Sequence, residues 1–251
     1  VVPKNPTYDG DPKTVTKAEF KNDSIKQWFG EITVKYYDYD TGDPVDKPTN
    51  AGTYTVVLDV AAGDGYEAVS NISDTSWEFT ILQDTQELSF GQTGTVEKVY
   101  GDGIFTITAS HTKGDGRVSY ESSDPSVATV AADGTVTIVG AGTTTITAKA
   151  AGTTNYQEAT ASYTLNVAQK DVTITGLSAQ SRAYDGTDTA TVTGTAVIND
   201  LVNNDDVTVN TTNATAKFAD ANVGTGKTVT FNGYTLSGAK AANYNLTAQP
   251  A

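Results

Sequence analysis

The chain has 251 residues, with no Cys, no Met and 37% hydrophobic residues, below the roughly 45–50% usual in globular chains when Gly is counted among them. Its 30 acids against 16 bases leave a formal net charge of −14, which repels phosphate backbones and anionic lipid and argues against nucleic-acid and membrane-surface partners. Without Cys there are neither disulfide staples nor thiolate metal sites, and no apolar run approaches the ~18 residues that span a bilayer, so this stretch is not expected to insert into a membrane.

One phrase divides the chain into three repeats of about 80 residues, and such repetition decides the architecture. It reads Ala51-Gly52-Thr53 followed by Gly65-Tyr66, Ala141-Gly142-Thr143 followed by Asn155-Tyr156, and Val223-Gly224-Thr225 followed by Asn243-Tyr244. In the first repeat, residues 1–82, Tyr8-Asp9-Gly10 marks a tight turn, because Asp-Gly supplies positive φ. Thr14 to Phe20 and Ile32 to Tyr36 alternate as strands, Lys17 to Phe29 has room for a helical turn, and Asp38 to Pro48 reads as a polar hairpin connection. Tyr54, Val56, Leu58 and Val60 share one face, as do Trp77, Phe79 and Ile81.

In the second repeat, residues 83–168, Phe105 to Ala109 and Val118 to Glu121 are expected strands, with a turn over Lys113 to Gly116. Asp133-Gly134 joins Val127–Val130 to Thr135–Ile138 as a hairpin. Thr144, Ile146 and Ala148, then Tyr163, Leu165 and Val167, complete the set. The third repeat, residues 169–251, has strand patterns at Val172–Ile174, Ala190–Val197, Val207–Val209, Thr215–Phe218 and Thr228–Phe231. Asn199 to Asp206 is a polar insertion with room for a turn of helix around Leu201. The other repeats continue to a closing strand after their Tyr; this one is expected to lack its last strand. The absence of Met, even at position 1, reads as a mature or excised fragment.

Residues 117–150 resemble the group 2 bacterial Ig-like domain of intimin- and invasin-type adhesins, through Ser122-Ser123-Asp124, Val127-Ala128-Thr129-Val130, Asp133-Gly134 and Gly140-Ala141-Gly142-Thr143. The first repeat is similar to the MBG domain through Tyr8-Asp9-Gly10 and Pro48 to Val56, and the third to the YDG domain through Tyr184-Asp185-Gly186, Val223-Gly224 and Ala242 to Leu246. The resemblance implies an all-β chain of three tandem Ig-like β-sandwich domains in an elongated arrangement, in an extracellular, cell-surface or secreted bacterial protein. These families share no catalytic or ligand residues to carry over.

The residues themselves offer few sites. His111 is the sole histidine, reads as an exposed turn residue, and has no nucleophile or orienting acid near it in sequence, so no enzyme activity is expected. Asp38, Asp40 and Asp43 form the front of an oxygen-ligand calcium loop, but no Glu follows at the required distance, and Pro44 and Pro48 suit a hairpin instead. Acids beside the linkers, Asp84 and Asp171, offer a second calcium option, and a Lys–Asn amide cross-link stays open. No cofactor is expected. The aromatic candidates for stacking on sugar form two clusters, Trp28-Phe29 with Tyr36, Tyr37 and Tyr39, and Tyr66 with Trp77, weighed against core packing. The chain is expected to be a monomeric, non-catalytic stalk or adhesive segment. The alternative is a carbohydrate-binding accessory segment of a secreted glycan-degrading enzyme. Either way the expected partner is a host or environmental glycan or a surface protein.

Overall fold

The computed structural model describes residues 1–92 and 94–250. The fold is all-β. Its strands run in order as β1 (Ile32–Asp38), β2 (Pro44–Val45), β3 (Gly52–Val60), β4 (Val69–Ile81) and β5 (Glu87–Phe90). There follow β6 (Thr95–Val99), β7 (Phe105–Thr106), β8 (Ala109–Lys113), β9 (Val118–Ser122), β10 (Ala128–Val130), β11 (Thr135–Ile138), β12 (Gly142–Ala150) and β13 (Ala159–Ala168). The last are β14 (Lys170–Ala179), β15 (Val192–Asn199), β16 (Thr208–Asn210), β17 (Thr215–Phe218), β18 (Val229–Asn232), β19 (Thr235–Ser237) and β20 (Tyr244–Leu246). Two compact units result: Val1–Ser89 with Ala109–Ser119 and Ala148–Ala161, and Phe90–Thr108 with Tyr120–Thr147 and Ser162–Ala251.

In the first unit a four-stranded sheet has the order β2-β1-β3-β4. β1 and β3 pair antiparallel from Ile32↔Val60 to Asp38↔Tyr54. Alternation then puts Tyr36, Tyr54, Val56, Phe79 and Ile81 into one cluster, with Trp77 packed against its edge. The hairpin expected at Asp38–Pro48 forms, since Tyr36 pairs with Val45 and Tyr37 with Pro44. The strand expected at Thr14–Phe20 does not form. Its amides have other acceptors: Val15 N donates to the Tyr36 hydroxyl (2.7 Å), and Thr16 N to Val1 O (3.3 Å). Alternating side chains do not make a strand when the backbone bonds leave the ladder. The helical turn between Lys17 and Phe29 is a 3₁₀ turn over Asp23–Trp28, capped by Asn22 Oδ1 on Ser24 N (3.0 Å).

The same unit holds β5 paired with β8, and a buried glutamine beside them. Gln86 Nε2 donates to Ala151 O (2.8 Å) and Gln157 O (2.6 Å), while its Oε1 accepts from Gly116 N (3.2 Å). One side-chain amide thus satisfies three backbone groups that have no ladder partner. Gly116 cannot be enlarged there, because a Cβ would lie 2.0 Å from Ala151 O.

In the second unit β10, β11 and β7 form one sheet, with the Asp133-Gly134 hairpin as expected: Ala128↔Ile138, Thr129↔Thr137, Val130↔Val136. The single strand expected over Phe105–Ala109 is divided into β7, which pairs with β11, and β8, which begins at Ala109. β6 runs parallel to β13, from Thr95↔Thr164 to Val99↔Ala168. Val136, Ile146 and Leu165 are completely buried between the layers. From Lys170 onward the strands are β15-β14-β20, β16-β19 and β17-β18. They close over Ile174, Ala190, Ala216, Phe231 and Tyr234. Around Leu201 there is no helix; Asp200, Asn203 and Asn204 take left-handed φ values of 67°, 47° and 55°, the conformation Asn and Asp tolerate in turns. A short 3₁₀ turn over Ala241–Asn243, absent from the sequence expectations, delivers Asn243 and Tyr244 to the position described next.

Candidate functional site

Of the aromatic candidates, Trp28, Tyr36, Tyr37 and Tyr39 do not converge, and Trp77 packs against the core. Tyr36 is 6% exposed, and its ring meets Phe79 edge to face at 6.5 Å, which removes it from any accessible set. Tyr37 is half-buried on the opposite face of β1. Tyr39 lies just beyond one end of β1 and Trp28 before its other end, so a seven-residue strand separates these two exposed rings. What Trp28 does have nearby in the chain is a ladder that sequence spacing did not reveal. Phe20 stacks on Phe29 at 4.8 Å, and Phe29 lies against Tyr66 at 4.7 Å. Tyr66 is 51% exposed and Trp28 42%.

The acids Asp38, Asp40 and Asp43 serve the hairpin. Asp38 Oδ1 accepts from Asp40 N (3.0 Å) and Thr41 N (2.9 Å), and Asp38 N donates to Asp43 O (2.9 Å). Among the described residues no group of three or more His, Cys, Asp or Glu side chains is arranged to hold a metal ion. His111 sits within β8 and is half-buried, not in an exposed turn.

The recurrent phrase turns out to be a device used twice. In the first unit Asn155 Oδ1 accepts from Ala51 N (2.9 Å), while Asn155 Nδ2 donates to Asn50 Oδ1 (3.1 Å). Tyr156 meets Tyr8 edge to face, with centroids 5.4 Å apart and planes at 83°. Gln83 Nε2 donates to Thr153 O (2.7 Å), and Asp84 N to Asn155 O (2.9 Å). In the second unit Asn243 Oδ1 accepts from Ala141 N (2.9 Å). Tyr244 meets Tyr100 at 5.5 Å and 83°, and Gln169 Nε2 donates to Ala242 O (2.7 Å). Each clamp therefore joins an Ala amide and a Tyr ring of one repeat to the Asn-Tyr pair of the next, with the intervening linker Gln as a third bond.

The residues of the phrase follow from this geometry. Gly52 and Gly142, next to the donating alanines, have φ of 155° and 146°, a region side chains rarely enter; a Cβ on Gly142 would also press on Val127 at 2.8 Å. Asn supplies an acceptor and a donor on a short stem, and Tyr supplies a flat edge. The first clamp is flanked by an ion pair of Lys113 with Asp84 (2.6 Å), whose bond holds the Asp84 carboxyl below its ordinary pKa. The second is sealed more deeply. Tyr100 and Tyr244 hydroxyls both donate to Asp205 Oδ2 at 2.7 Å, and Tyr244 Oη accepts from Val202 N (2.8 Å). Burial first, then the bond to the Asp205 carboxylate, pushes both phenols up to about 12.

Residues 168–251 match the family model of the YDG domain, and residues 109–152 match that of the intimin immunoglobulin-like domain. These matches identify a bacterial surface protein with Ig-like domains. Among solved structures, the chain is similar to a C-terminal 282-residue fragment of intimin, in complex with the intimin-binding domain of the translocated intimin receptor. Identity is 19% over 62% of this chain and 57% of that one, with a TM-score of 0.25. It is also similar to a SusE-like surface located polysaccharide binding protein of Bacteroides thetaiotaomicron, at 13% identity over 92% of this chain and 52% of that one, TM-score 0.28. A third is domains 1–6 of the surface layer protein SbsC, at 17% identity over 84% and 36%, TM-score 0.25. The chain thus spans 57% of the intimin fragment's length. No curated protein sequence matches the chain. The domain families matched are of non-catalytic kinds. Among the described residues no helix is long and apolar enough to cross a membrane.

Proposed function

We propose that the chain is a non-catalytic stalk segment of an extracellular bacterial surface protein, three Ig-like sandwiches long, in which each linker is stiffened by an Asn-Tyr clamp. The observation that carries this reading is the recurrence of one bonding set, Ala amide to Asn, Tyr ring to Tyr ring and linker Gln to backbone, at Ala51/Asn155 and again at Ala141/Asn243. A linker of a few residues without such bonds lets neighbouring domains swing, and bonds that repeat at each linker suppress that motion. The test is the distribution of distances between spin labels on the first and second repeats, and on the second and third, in the wild type and in Asn155→Ala/Asn243→Ala. Narrow distributions that broaden in the variant support the stalk; distributions equally broad in both proteins would refute it.

One observation favours a second reading, a glycan-binding surface. The Phe20–Phe29–Tyr66 ladder, with Tyr66 and Trp28 exposed, offers ring faces of the kind sugars stack on. Glycan-array binding that is saturable and lost in Trp28→Ala would establish it. No signal above a neutral control on any glycan would leave the stalk alone.

A further inference from the structure

Two pairs of strands in the second unit run parallel, and each joins an early strand of a repeat to a late one. β6 pairs with β13 over five positions, Thr95↔Thr164 to Val99↔Ala168, and β14 pairs with β20 over three, Lys170↔Tyr244 to Val172↔Leu246. A single residue, Gln169, separates β13 from β14, so the two ladders follow one another along the chain.

Parallel direction decides how such a ladder responds to a pull on the chain. The chain enters β6 at Thr95 and leaves β13 at Ala168, and these two points lie at opposite ends of the ladder. Tension on them slides one strand along the other and loads every main-chain bond at once. A pull on two points at the same end would instead open the bonds one after another. The same holds for Lys170 and Leu246 in β14 and β20. Each ladder has one edge strand and one held from both sides: β6 lies outside β13, which β12 flanks, and β20 lies outside β14, which β15 flanks.

Side chains pin both ladders in the same way. Asn166 stands directly opposite Glu97, and its Nδ2 donates to Glu97 Oε2 (2.6 Å). Asn245 stands directly opposite Asp171, and its Nδ2 donates to Asp171 Oδ1 (2.8 Å). Asn166 Oδ1 also accepts from Thr143 Oγ1 of β12 (3.1 Å), which extends that rung across three strands. Amide-to-carboxylate bonds are charge-assisted, and between directly opposed residues they resist sliding. On the other face Leu165, Val167 and Val172 are buried, which keeps water from the main-chain bonds on that side.

We propose that the chain carries tension, and that these two parallel ladders, each pinned by an Asn–carboxylate rung, are its load-bearing elements. The proposal deepens the stalk reading by naming the load a stalk transmits, yet the two fail separately: spin-label distances report the linkers, and rupture force reports the ladders.

The experiment is single-molecule pulling of the whole chain from handles on its two termini. Because the chain has no Cys, Ser162→Cys supplies one unique alternative attachment point, exposed and two residues before the ladder begins at Thr164. Pulling between the N-terminus and position 162 leaves the third repeat unloaded and draws β6 from β13 at their shared end. The rupture force of the second repeat should then fall at least roughly twofold, because its paired positions part in sequence and not together. Between the termini, Asn166→Ala should speed one forced-unfolding event roughly 2- to 10-fold, the range of one net hydrogen bond, and Asn245→Ala should speed a different one. Thr135→Ala is the control: it removes the Thr106–Thr135 hydroxyl bond (3.1 Å) of the antiparallel pair β7–β11 in the same unit. It should lower stability in urea much as Asn166→Ala does and leave both forced-unfolding rates unchanged. Equal rupture forces in the two pulling geometries overturn the proposal. So does equal acceleration by Thr135→Ala and Asn166→Ala, since the rung would then contribute ordinary stability and bear no load.

Discussion

Tyr100 and Tyr244 share a single acceptor: both hydroxyls donate to Oδ2 of Asp205, while the two rings meet edge to face. The arrangement requires both phenols to be neutral, because a phenolate would face the Asp205 carboxylate at hydrogen-bond distance.

An alkaline limit follows. Tyr100, Tyr163 and Tyr244 are each pushed up to about 12, mainly by burial. A raised folded-state value means that the unfolded chain loses its protons first, near pH 10, so the stabilisation is whole below that pH and is lost as pH rises toward 12. The melting temperature is expected to be level from pH 7 to about 9.5 and to fall steeply between pH 10 and 12. Absorbance at 295 nm should show these three tyrosines ionising together with unfolding. A smooth ionisation of all tyrosines near pH 10 with the fold intact would contradict it.

The Gln86 amide is expected to be a stability hot spot. Gln86→Ala leaves the buried Gly116 N without its acceptor and removes the donor to Ala151 O and Gln157 O, and should cost about 1–3 kcal/mol in urea unfolding. Gln86→Glu places an oxygen where two carbonyls now receive N–H bonds. A carboxyl there is stabilised only when protonated, so this variant should be more stable at pH 4 than at pH 7, the reverse of an ordinary acid-labile ion pair.

Two aromatic substitutions separate packing from recognition. Tyr36→Phe keeps the ring among Tyr54, Phe79 and Ile81 but strands Val15 N, for a loss of about 1–2 kcal/mol and no change in glycan binding. Trp28→Ala removes a ring that is 42% exposed, with an expected stability loss of about 1 kcal/mol or less. Any glycan affinity should respond to this second variant alone.

The phrase Ala-Gly-Thr followed by Asn-Tyr was legible as a repeat, and so were the all-β class, the Asp133-Gly134 hairpin and the cores built on Phe79 and Leu165. Local alternation and turn chemistry carry that information. What the repeat does was not legible, because Asn155 bonds to Ala51 at a sequence separation of 104, and Asn243 to Ala141 at 102. Spacing within a repeat cannot show that its conserved-looking polar pair serves the repeat before it. The aromatic candidates failed for a related reason. Tyr36, Tyr37 and Tyr39 are close in sequence, yet the strand sends them to the core, the opposite face and the strand end, while Phe29 finds its partners at Phe20 and Tyr66. A signal was available in one place: Tyr8 and Tyr184 recur beside the same turn, and Tyr100 precedes Gly101-Asp102-Gly103, a variant of that turn.

The clamps make opposite demands on two alanine amides and two asparagines, and exchange rates resolve them one at a time. Asn155→Ala removes the acceptor of Ala51 N, and Asn243→Ala that of Ala141 N. A backbone N–H left without its partner in a half-buried site costs about 1–3 kcal/mol, equivalent to roughly 5- to 150-fold in an opening equilibrium. Hydrogen exchange at Ala51 should therefore accelerate within that range in the first variant, with Ala141 unchanged, and the pattern should reverse in the second. The second clamp should show the larger effect. Asn243, Tyr100 and Tyr244 are buried, whereas Asn155, Tyr8 and Tyr156 are half-buried, and water can replace the lost acceptor more readily around the latter. Asn→Asp at either position retains the Oδ1 acceptor, and should restore most of the protection of the corresponding alanine amide. Equal acceleration at both amides in each single variant would mean that the two clamps open as one, and the independence assumed for each linker would be wrong.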